Sequence, residues 1–386
     1  ECLSFWKRRC YMIRTDVATI GTGLLVLLIS AGTVHLLFYW LVYRRFAFLK
    51  VAASGGETKP VSVIICARNE SKNLQRFLPA VLDQAYPEYE VIVVNDCSWD
   101  DSGEYLEAAE KEYPRLRVVN IQEQEKYKHG KKFAITLGIK AAKHDRLLFT
   151  DADCRPASRN WLTNMQYNFR DGKEIVLGYG AYERMPGFLN KLIRFDTAFI
   201  AMQYFGFALG GNAYMGTGRN LAYRKDLFFR NKGFARHNHL PSGDDDLFVN
   251  ENATSANTAI EVQPDSFTYS LPKERFADWF NQKVRHTTTS KYYKGGHRFQ
   301  LFLAGICPLL VWLSLIALLV SGQRTKEALV AAGVVWALKL PIFAYSASKL
   351  REKDLIWLYP LLELLYSFLL PIIYLAQLLT KKRAWK

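Results

Sequence analysis

Two stretches of this 386-residue chain, Val17 to Tyr43 and Phe299 to Gln323, contain no Asp, Glu, Lys or Arg. Each exceeds the roughly 20 residues that a helix needs to cross a bilayer, which excludes an ordinary water-soluble domain. Two further stretches, 328–348 and 355–379, are interrupted by one ionisable residue each, Lys339 and Glu363. No Cys-x-x-Cys pair occurs among the six cysteines, so neither a zinc ribbon nor a dithiol redox motif is present. Cys66, Cys97 and Cys154 fall at or near predicted strand ends, as expected of reduced thiols in a cytosolic domain. Internal repeats and low-complexity segments are absent too, which excludes a solenoid. The formal charge of +15 comes without any nucleic-acid motif, so we expect no nucleic-acid partner and assign the charge to contact with anionic membrane lipids.

These runs divide the chain. We expect an N-terminal tail (1–16), a first transmembrane helix (17–43), a linker (44–59), an α/β domain (60–275), amphipathic interface helices (276–298), three transmembrane helices (299–323, 328–348, 355–379) and a basic tail (380–386). The first span is too long for a signal-peptide core and lacks a small-residue cleavage site, so it is expected to be retained as an anchor. Arg44, Arg45 and Lys50 after the first span, with Lys349, Arg351 and Lys353 in the last short loop, place the α/β domain on the cytoplasmic side of an integral membrane protein, the inner membrane in a bacterium. By the same count the basic residues of both tails fall outside, and the Pro-containing last span has a re-entrant alternative. Lys339 and Glu363 lie at matching depths if the last two spans form a hairpin, and are expected to face each other.

Within the polar region, Val61 to Cys66 is a β-rich apolar run, followed by a helical pattern with Leu74, Phe77, Leu78, Val81 and Leu82 on one face. A second strand signal, Glu90 to Val94, ends in Asn95-Asp96. Helix (103–113), strand (117–120), helix (131–143) and strand (146–150) follow. Such alternation implies a parallel α/β sheet, with Arg68, Asp96 and Asp153 just past strand ends and hence in one crevice. The last strand runs into Asp151-Ala152-Asp153. Two carboxylates one residue apart at a strand end are hard ligands suited to Mg²⁺ or Mn²⁺, although Asp-x-Asp also occurs in helix-capping loops.

The order Val63-Ile64-Ile65-Cys66-Ala67-Arg68-Asn69-Glu70, Val93-Val94-Asn95-Asp96, Gly130-Lys131, Asp151-Ala152-Asp153, Gly243-Asp244-Asp245-Asp246 and Gln282-Lys283-Val284-Arg285-His286 resembles the membrane-bound inverting family 2 glycosyltransferases. That resemblance implies the GT-A fold, a Rossmann-like and mostly parallel sheet, with one transmembrane helix before it and three after. It implies transfer of a hexosyl or N-acetylhexosaminyl group from a nucleotide-sugar donor, commonly UDP-linked, to a lipid or glycan acceptor at the membrane. The implied substrate-binding residues are Ala67, Arg68, Glu70, Asp96, Lys131, Asp151, Gln282, Arg285 and His286. Asp153 is the implied ligand of Mg²⁺ or Mn²⁺. Asp245 is the implied general base with Asp244 beside it, a role that one carboxylate near the acceptor hydroxyl can fill.

Several of these residues have a second reading. Lys131 also belongs to a basic cluster with Lys126, Lys128 and Lys132. Three adjacent Asp cannot all face one site, so Asp244 or Asp246 is available to cap the helix that begins at Leu247, and the base could sit one residue away. Gln282 and Arg285 share a helix face, and that helix reads equally as a basic interfacial helix. The aromatic segment 187–216 is either a core helix or a surface facing the bilayer or a lipid acceptor. Two departures from the family pattern, His286 for Trp and Thr136 for Asn, weaken the case for a processive polysaccharide synthase, as does the small number of spans. A catalytically silent scaffold with this fold is the alternative from another class, and the intact Asp151, Asp153 and Asp245 argue against it.

Overall fold

The computed structural model of the protein describes residues 2–51, 58–122 and 130–379. Lys126, Lys128, linker residues 52–57 and the basic tail 380–386 lie outside them. In chain order the strands are β1 (Val61–Ala67), β2 (Tyr89–Asp96), β3 (Leu116–Ile121), β4 (Arg146–Asp151), β5 (Cys154–Pro156), β6 (Ile175–Leu177), β7 (Gly180–Tyr182), β8 (Leu221–Arg224), β9 (Thr258–Ile260) and β10 (Thr268–Ser270). Among the described residues seven of them form one sheet, ordered β3-β2-β1-β4-β8-β6-β9, and β5-β10-β7 form a smaller one. β1 pairs in parallel with β2 and β4, and β2 with β3, whereas β8 runs antiparallel between β4 and β6. The expected GT-A-like, mostly parallel sheet is present.

The apolar runs of β1, β2 and β4 are continuous because both sheet faces are covered. Ile64, Ile92, Val94, Leu147 and Phe149 pack on one side, with Ala134, Ile135 and Ile139 of the helix Lys131–Ala141. Val63, Ile65, Val91, Val93 and Leu148 pack on the other, with Leu74, Leu78 and Val81 of the helix Ser71–Leu82. Gly138 lets the first of these helices close on the sheet, since a Cβ there would lie 2.7 Å from Ile64 Cγ2. All four strands of the parallel run end on the same edge, and that edge carries Asp96 and Asp151.

Among the described residues four helices are long and apolar enough to span a membrane: Thr19–Ala47, Gly295–Ser321, Thr325–Lys349 and Tyr359–Leu379. Their outward faces expose large apolar residues such as Val26, Ile29, Phe302 and Val330. The last one starts at Tyr359 and not at Leu355, which belongs to a short 3₁₀ turn, because Pro360 sits in the first turn where its missing N–H costs nothing. It continues unbroken across Pro371, so it is one helix and not a re-entrant pair. The first helix contains a π-helical stretch, Phe38–Tyr43, which turns Tyr39 and Tyr43 into the main core.

The helix Phe188–Leu209 joins the membrane helices to the sheet. Most of its residues are buried, which removes the expectation of a bilayer-facing surface. Phe195 and Phe199 pack on Tyr366, Phe195 also meets Phe343 and Tyr359, and Phe205 meets Phe46. Two of its charged residues are engaged as well. Arg194 is 3 % exposed and pairs with Glu352 and Asp354 of the loop before the last helix, and Asp196 Oδ2 takes Lys283 Nζ at 2.9 Å.

Candidate active site

The site forms where β1, β2 and β4 end. Beyond β1 the backbone turns through Asn69, whose φ of 56° is left-handed, and Arg68 Nη1 reaches to 3.8 Å from Asp96 Oδ2. The turns after β1 and β2 are tied together: Ser98 Oγ accepts from Asn69 N at 3.0 Å, Ser102 Oγ from Glu70 N at 3.1 Å, and Asp100 Oδ2 from Ser71 N at 3.1 Å. Ala67 and Asp96 are thus held side by side and fully buried. Glu70 is half-buried with Asn73 Nδ2 at 2.6 Å; burial raises its pKa, and Asp153 and Asp151 add to the rise.

Lys131 is the first residue of its helix, and the helix start aims it across the sheet edge. Its Nζ lies 2.8 Å from Asp151 Oδ1 and 3.3 Å from Asp244 Oδ2. Burial alone would discharge this amine, but Asp151, Asp244 and Asp245 outweigh it and hold the pKa well above the ordinary lysine value. Its neighbour Lys132 points the other way and donates to the carbonyls of His237 (2.6 Å) and Leu240 (3.3 Å), so the two described lysines of the cluster diverge, Lys131 to the acidic side chains and Lys132 to backbone.

Asp151 and Asp153 share a small acidic centre with Cys154, their ligand atoms all within 4.8 Å of one another. Their titration diverges. Burial raises the Asp151 carboxyl, yet Lys131 more than cancels this and leaves it below the usual range, whereas burial and the Asp151 charge both push Asp153 up. The Cys154 thiol is kept protonated by burial and donates towards Asp153 Oδ1 at 3.4 Å. The donor set available is therefore two hard carboxylates, which fits Mg²⁺ or Mn²⁺ and not a thiophilic metal.

The three aspartates after Gly243 have separate surroundings. Asp246 is 8 % exposed and engaged on both oxygens: Leu247 N donates to Oδ1 at 2.7 Å, while Thr289 Oγ1 and Tyr293 OH (2.7 Å) donate to Oδ2. Asp244 pairs with Lys131. Asp245 stands at the N-terminus of the helix Asp246–Asn252, accepting from Asp246 N at 2.8 Å and from Gly218 N at 2.7 Å. Burial and then the charges of Asp244 and Asp246, against Lys131 and the Gly218 N–H, push its pKa up to about 7.

The helix Phe276–Thr287 lies over this edge. Gln282 Nε2 is 3.5 Å from Tyr182 OH, and Arg285 is exposed yet close enough to Asp151 to favour its charged form. His286 is exposed beside it, and Lys283 is turned away to Asp196. The motifs assign no role to one further residue of the site. Arg219 is a guanidinium next to Asp151 and Asp153, bonded to Ser270 Oγ at 2.7 Å and lying 4.3 Å over the Tyr182 ring. Its carbonyl accepts from Thr150 Oγ1 (3.0 Å) and Thr268 Oγ1 (2.9 Å), joining the two sheets at the acidic centre. Its signal in the sequence is the stretch Gly216-Thr217-Gly218-Arg219-Asn220-Leu221-Ala222-Tyr223, which resembles the family's acceptor-side motif and implies no role for Arg219 itself.

Residues 62–229 match the family described as glycosyl transferase family 2. The chain carries a family 2 glycosyltransferase domain. The glycosyltransferase AglE of Haloferax volcanii is 38 % identical over 104 residues, covering 26 % of this chain and 33 % of that protein. A poly-β-1,6-N-acetyl-D-glucosamine synthase of Staphylococcus epidermidis is 29 % identical over 125 residues, 30 % of this chain and 29 % of the synthase. The 4,4′-diaponeurosporenoate glycosyltransferase of Staphylococcus aureus is 30 % identical over 113 residues, 29 % of each chain. The matched segments thus span about a third or less of these relatives. Among solved structures, the mannosyltransferase PcManGT of Pyrobaculum calidifontis, in complex with GDP-Man and Mn²⁺, superposes with a TM-score of 0.58 at 20 % identity, covering 88 % of this chain and 99 % of that one. It shares the fold of this chain.

Proposed function

We propose that the chain is a metal-dependent, inverting glycosyltransferase that moves a sugar from a nucleotide donor, UDP-linked as the motif resemblance implies, to a lipid or glycan acceptor at the membrane. The observation that carries this reading is Asp245, a carboxylate with a pKa near 7 on the same sheet edge as Lys131 and Asp151. In this reading Asp96, Arg68 and Ala67 hold the nucleoside side of the donor, and Glu70 and Asp151 the sugar side. Lys131, Gln282 and Arg285 meet the diphosphate, Arg supplying a fork of donors for phosphate oxygens, with His286 at the outer edge.

Asp245 removes the proton of an acceptor hydroxyl as that oxygen attacks the anomeric carbon from the face opposite the diphosphate. The bond from the anomeric carbon to the phosphate oxygen breaks, its electron pair leaves with the nucleoside diphosphate, and configuration inverts. Asp244 stays paired with Lys131 and keeps that amine charged. A divalent cation held by Asp153, with Asp151 beside it, supplies charge neutralisation to the leaving diphosphate when bound. The name of the diaponeurosporenoate relative supports an apolar acceptor, and the four apolar helices support its delivery at a membrane. The basic loop of Lys349, Arg351 and Lys353 sits on the sheet-domain side, with Lys349 Nζ 2.7 Å from Leu49 O, which supports a cytoplasmic domain.

The test is a donor screen on detergent-purified protein with Mn²⁺ or Mg²⁺, read as released nucleoside diphosphate and as product length. We expect release with one donor class and products extended by one or a few sugars. Absence of hydrolysis and transfer across UDP- and GDP-sugars overturns the reading in favour of a silent scaffold, and long polymer overturns it in favour of a processive synthase.

A further inference from the structure

Residues 287–293 read Thr-Thr-Thr-Ser-Lys-Tyr-Tyr, a polar stretch to which the motifs of the transfer reaction assign no role. It leads from the helix that carries Gln282 and Arg285 into the apolar helix Gly295–Ser321. Thr289 and Tyr293 are buried, and both hydroxyls donate to one atom, Asp246 Oδ2, from Tyr293 OH at 2.7 Å. A carboxylate in the first turn of a helix usually faces water. This one is enclosed, and the two hydroxyls from 43 and 47 residues further along the chain take the place of solvent.

The fastening is repeated one turn along. Asn250, four residues after Asp246 and so on the same face of the helix Asp246–Asn252, is buried with all its polar atoms engaged. Lys294 N donates to its Oδ1 at 3.0 Å, and its Nδ2 donates to Tyr214 O at 2.8 Å and to His297 Nδ1 at 3.0 Å. With Nδ1 accepting, His297 Nε2 carries the proton and donates to Asn212 Oδ1 at 2.7 Å. The short helix that follows Asp245 is therefore tied along one face to the chain entering an apolar helix. Asp245 itself accepts from two backbone groups, Gly218 N and Asp246 N. Where its carboxylate points thus depends on the backbone at 245–246, which the bonds to the Asp246 side chain hold in place.

We propose that Thr289 and Tyr293 are positioning residues of the transfer reaction: by clamping Asp246 to the segment that enters the apolar helix Gly295–Ser321, they fix the direction from which Asp245 meets the acceptor hydroxyl. The inference rests on the glycosyltransferase reading, with Asp245 as base, and deepens it. A general base works within hydrogen-bond reach of the proton it takes, and a misplacement of about 1 Å costs about 10²-fold in rate. Both hydroxyls are directed at Asp246, so they act through it and not on the substrates. The placement of the base is then referred to an apolar helix as well as to the sheet edge.

The test uses the full chain in detergent and reads nucleoside diphosphate released from the sugar nucleotide that turns over in the donor screen. Tyr293→Phe and Thr289→Val each delete one hydroxyl with little change of shape. Each is expected to lower kcat by about tenfold or more while donor KM stays within about twofold, the mark of an interaction that counts only in the transition state. Thr289→Ser keeps a hydroxyl and should restore kcat, and Tyr292→Phe, at the exposed neighbouring position, should leave it at the parental value. Parental kcat in either hydroxyl deletion overturns the proposal, as does an equal loss in Tyr292→Phe or a Thr289→Ser no better than Thr289→Val. A rise in donor KM that matches the fall in kcat also overturns it. Loss of the melting transition in both deletions does so too, because the contacts then serve folding and not the base. Absence of turnover in the parent overturns the enzymatic reading and the positioning role together, whereas an active parent with unaffected variants sinks the positioning role alone.

Discussion

Lys339 and Glu363 face each other across two antiparallel apolar helices, with Lys339 Nζ 2.5 Å from both carboxylate oxygens. The pair is not isolated. His35 Nε2 lies 3.3 Å from Glu363 Oε1, Tyr359 OH donates to the same oxygen at 2.9 Å, and Tyr39 OH is 2.6 Å from Tyr359 OH. One carboxylate thus joins three of the four apolar helices. Removing either partner strands a buried charge, which costs about 3–5 kcal/mol in comparable pairs. Glu363→Ala and Lys339→Ala should each lower the yield of folded protein and its melting temperature. The neutral double variant Lys339→Met with Glu363→Gln should recover much of both, whereas the charge swap should recover less, because His35 would then face an ammonium. Full yield from both single variants would remove the structural role.

Asp245→Asn is expected to retain donor binding and lower turnover by about 10²-fold or more, the scale of a lost general base. Asp246→Asn should instead reduce stability, since Thr289 and Tyr293 lose an anionic acceptor. Measured kcat and melting temperatures for both variants check the assignment. Loss of turnover with intact stability in Asp246→Asn alone would move the base by one residue.

The pH profile follows from the same carboxylate. A base is active when ionised, and burial beside Asp244 and Asp246 pushes Asp245 up to about 7, so turnover should rise as pH increases through 7 and fall by about tenfold per unit well below it. A kcat profile flat from pH 5 to 8 would contradict this.

Asp153→Ala should abolish turnover that depends on added Mn²⁺ or Mg²⁺, because the hard oxygen ligand at the acidic centre is lost. Titration of metal against nucleoside diphosphate release checks it, and unchanged turnover at limiting metal would reject the ligand.

Arg194→Ala should loosen the docking of the last helical hairpin on the sheet domain, since it leaves Glu352 buried without its guanidinium. A loss of about 3–5 kcal/mol is expected, seen as a lowered melting temperature. A variant that melts like the parent would show that the aromatic contacts of Phe195 suffice.

Much of this is legible in the sequence alone. Strand ends at Asp96 and Asp151 follow from apolar runs closed by polar residues, and the four apolar helices follow from the absence of charge, both local properties of the chain. The Lys339–Glu363 pairing was also accessible, because helical rise converts residue count into depth. Lys131 could not be separated from Lys132 by sequence, since adjacent residues on a helix point about 100° apart and only the packed sheet says which direction holds the acids.

The sequence by itself determined the alternation of strands and helices, the membrane-length helices and the residue types at the strand ends, because periodicity and desolvation act over a few residues at a time. Only the tertiary structure decided the rest. It showed that Asp246 is consumed by Thr289 and Tyr293 while Asp245 keeps the Gly218 N–H, that Arg219 enters the acidic centre, and that the helix Phe188–Leu209 is interior. Each of these depends on partners from distant segments, and the direction of a side chain's charge or the burial of a face is set by what packs against it, not by its neighbours in the chain.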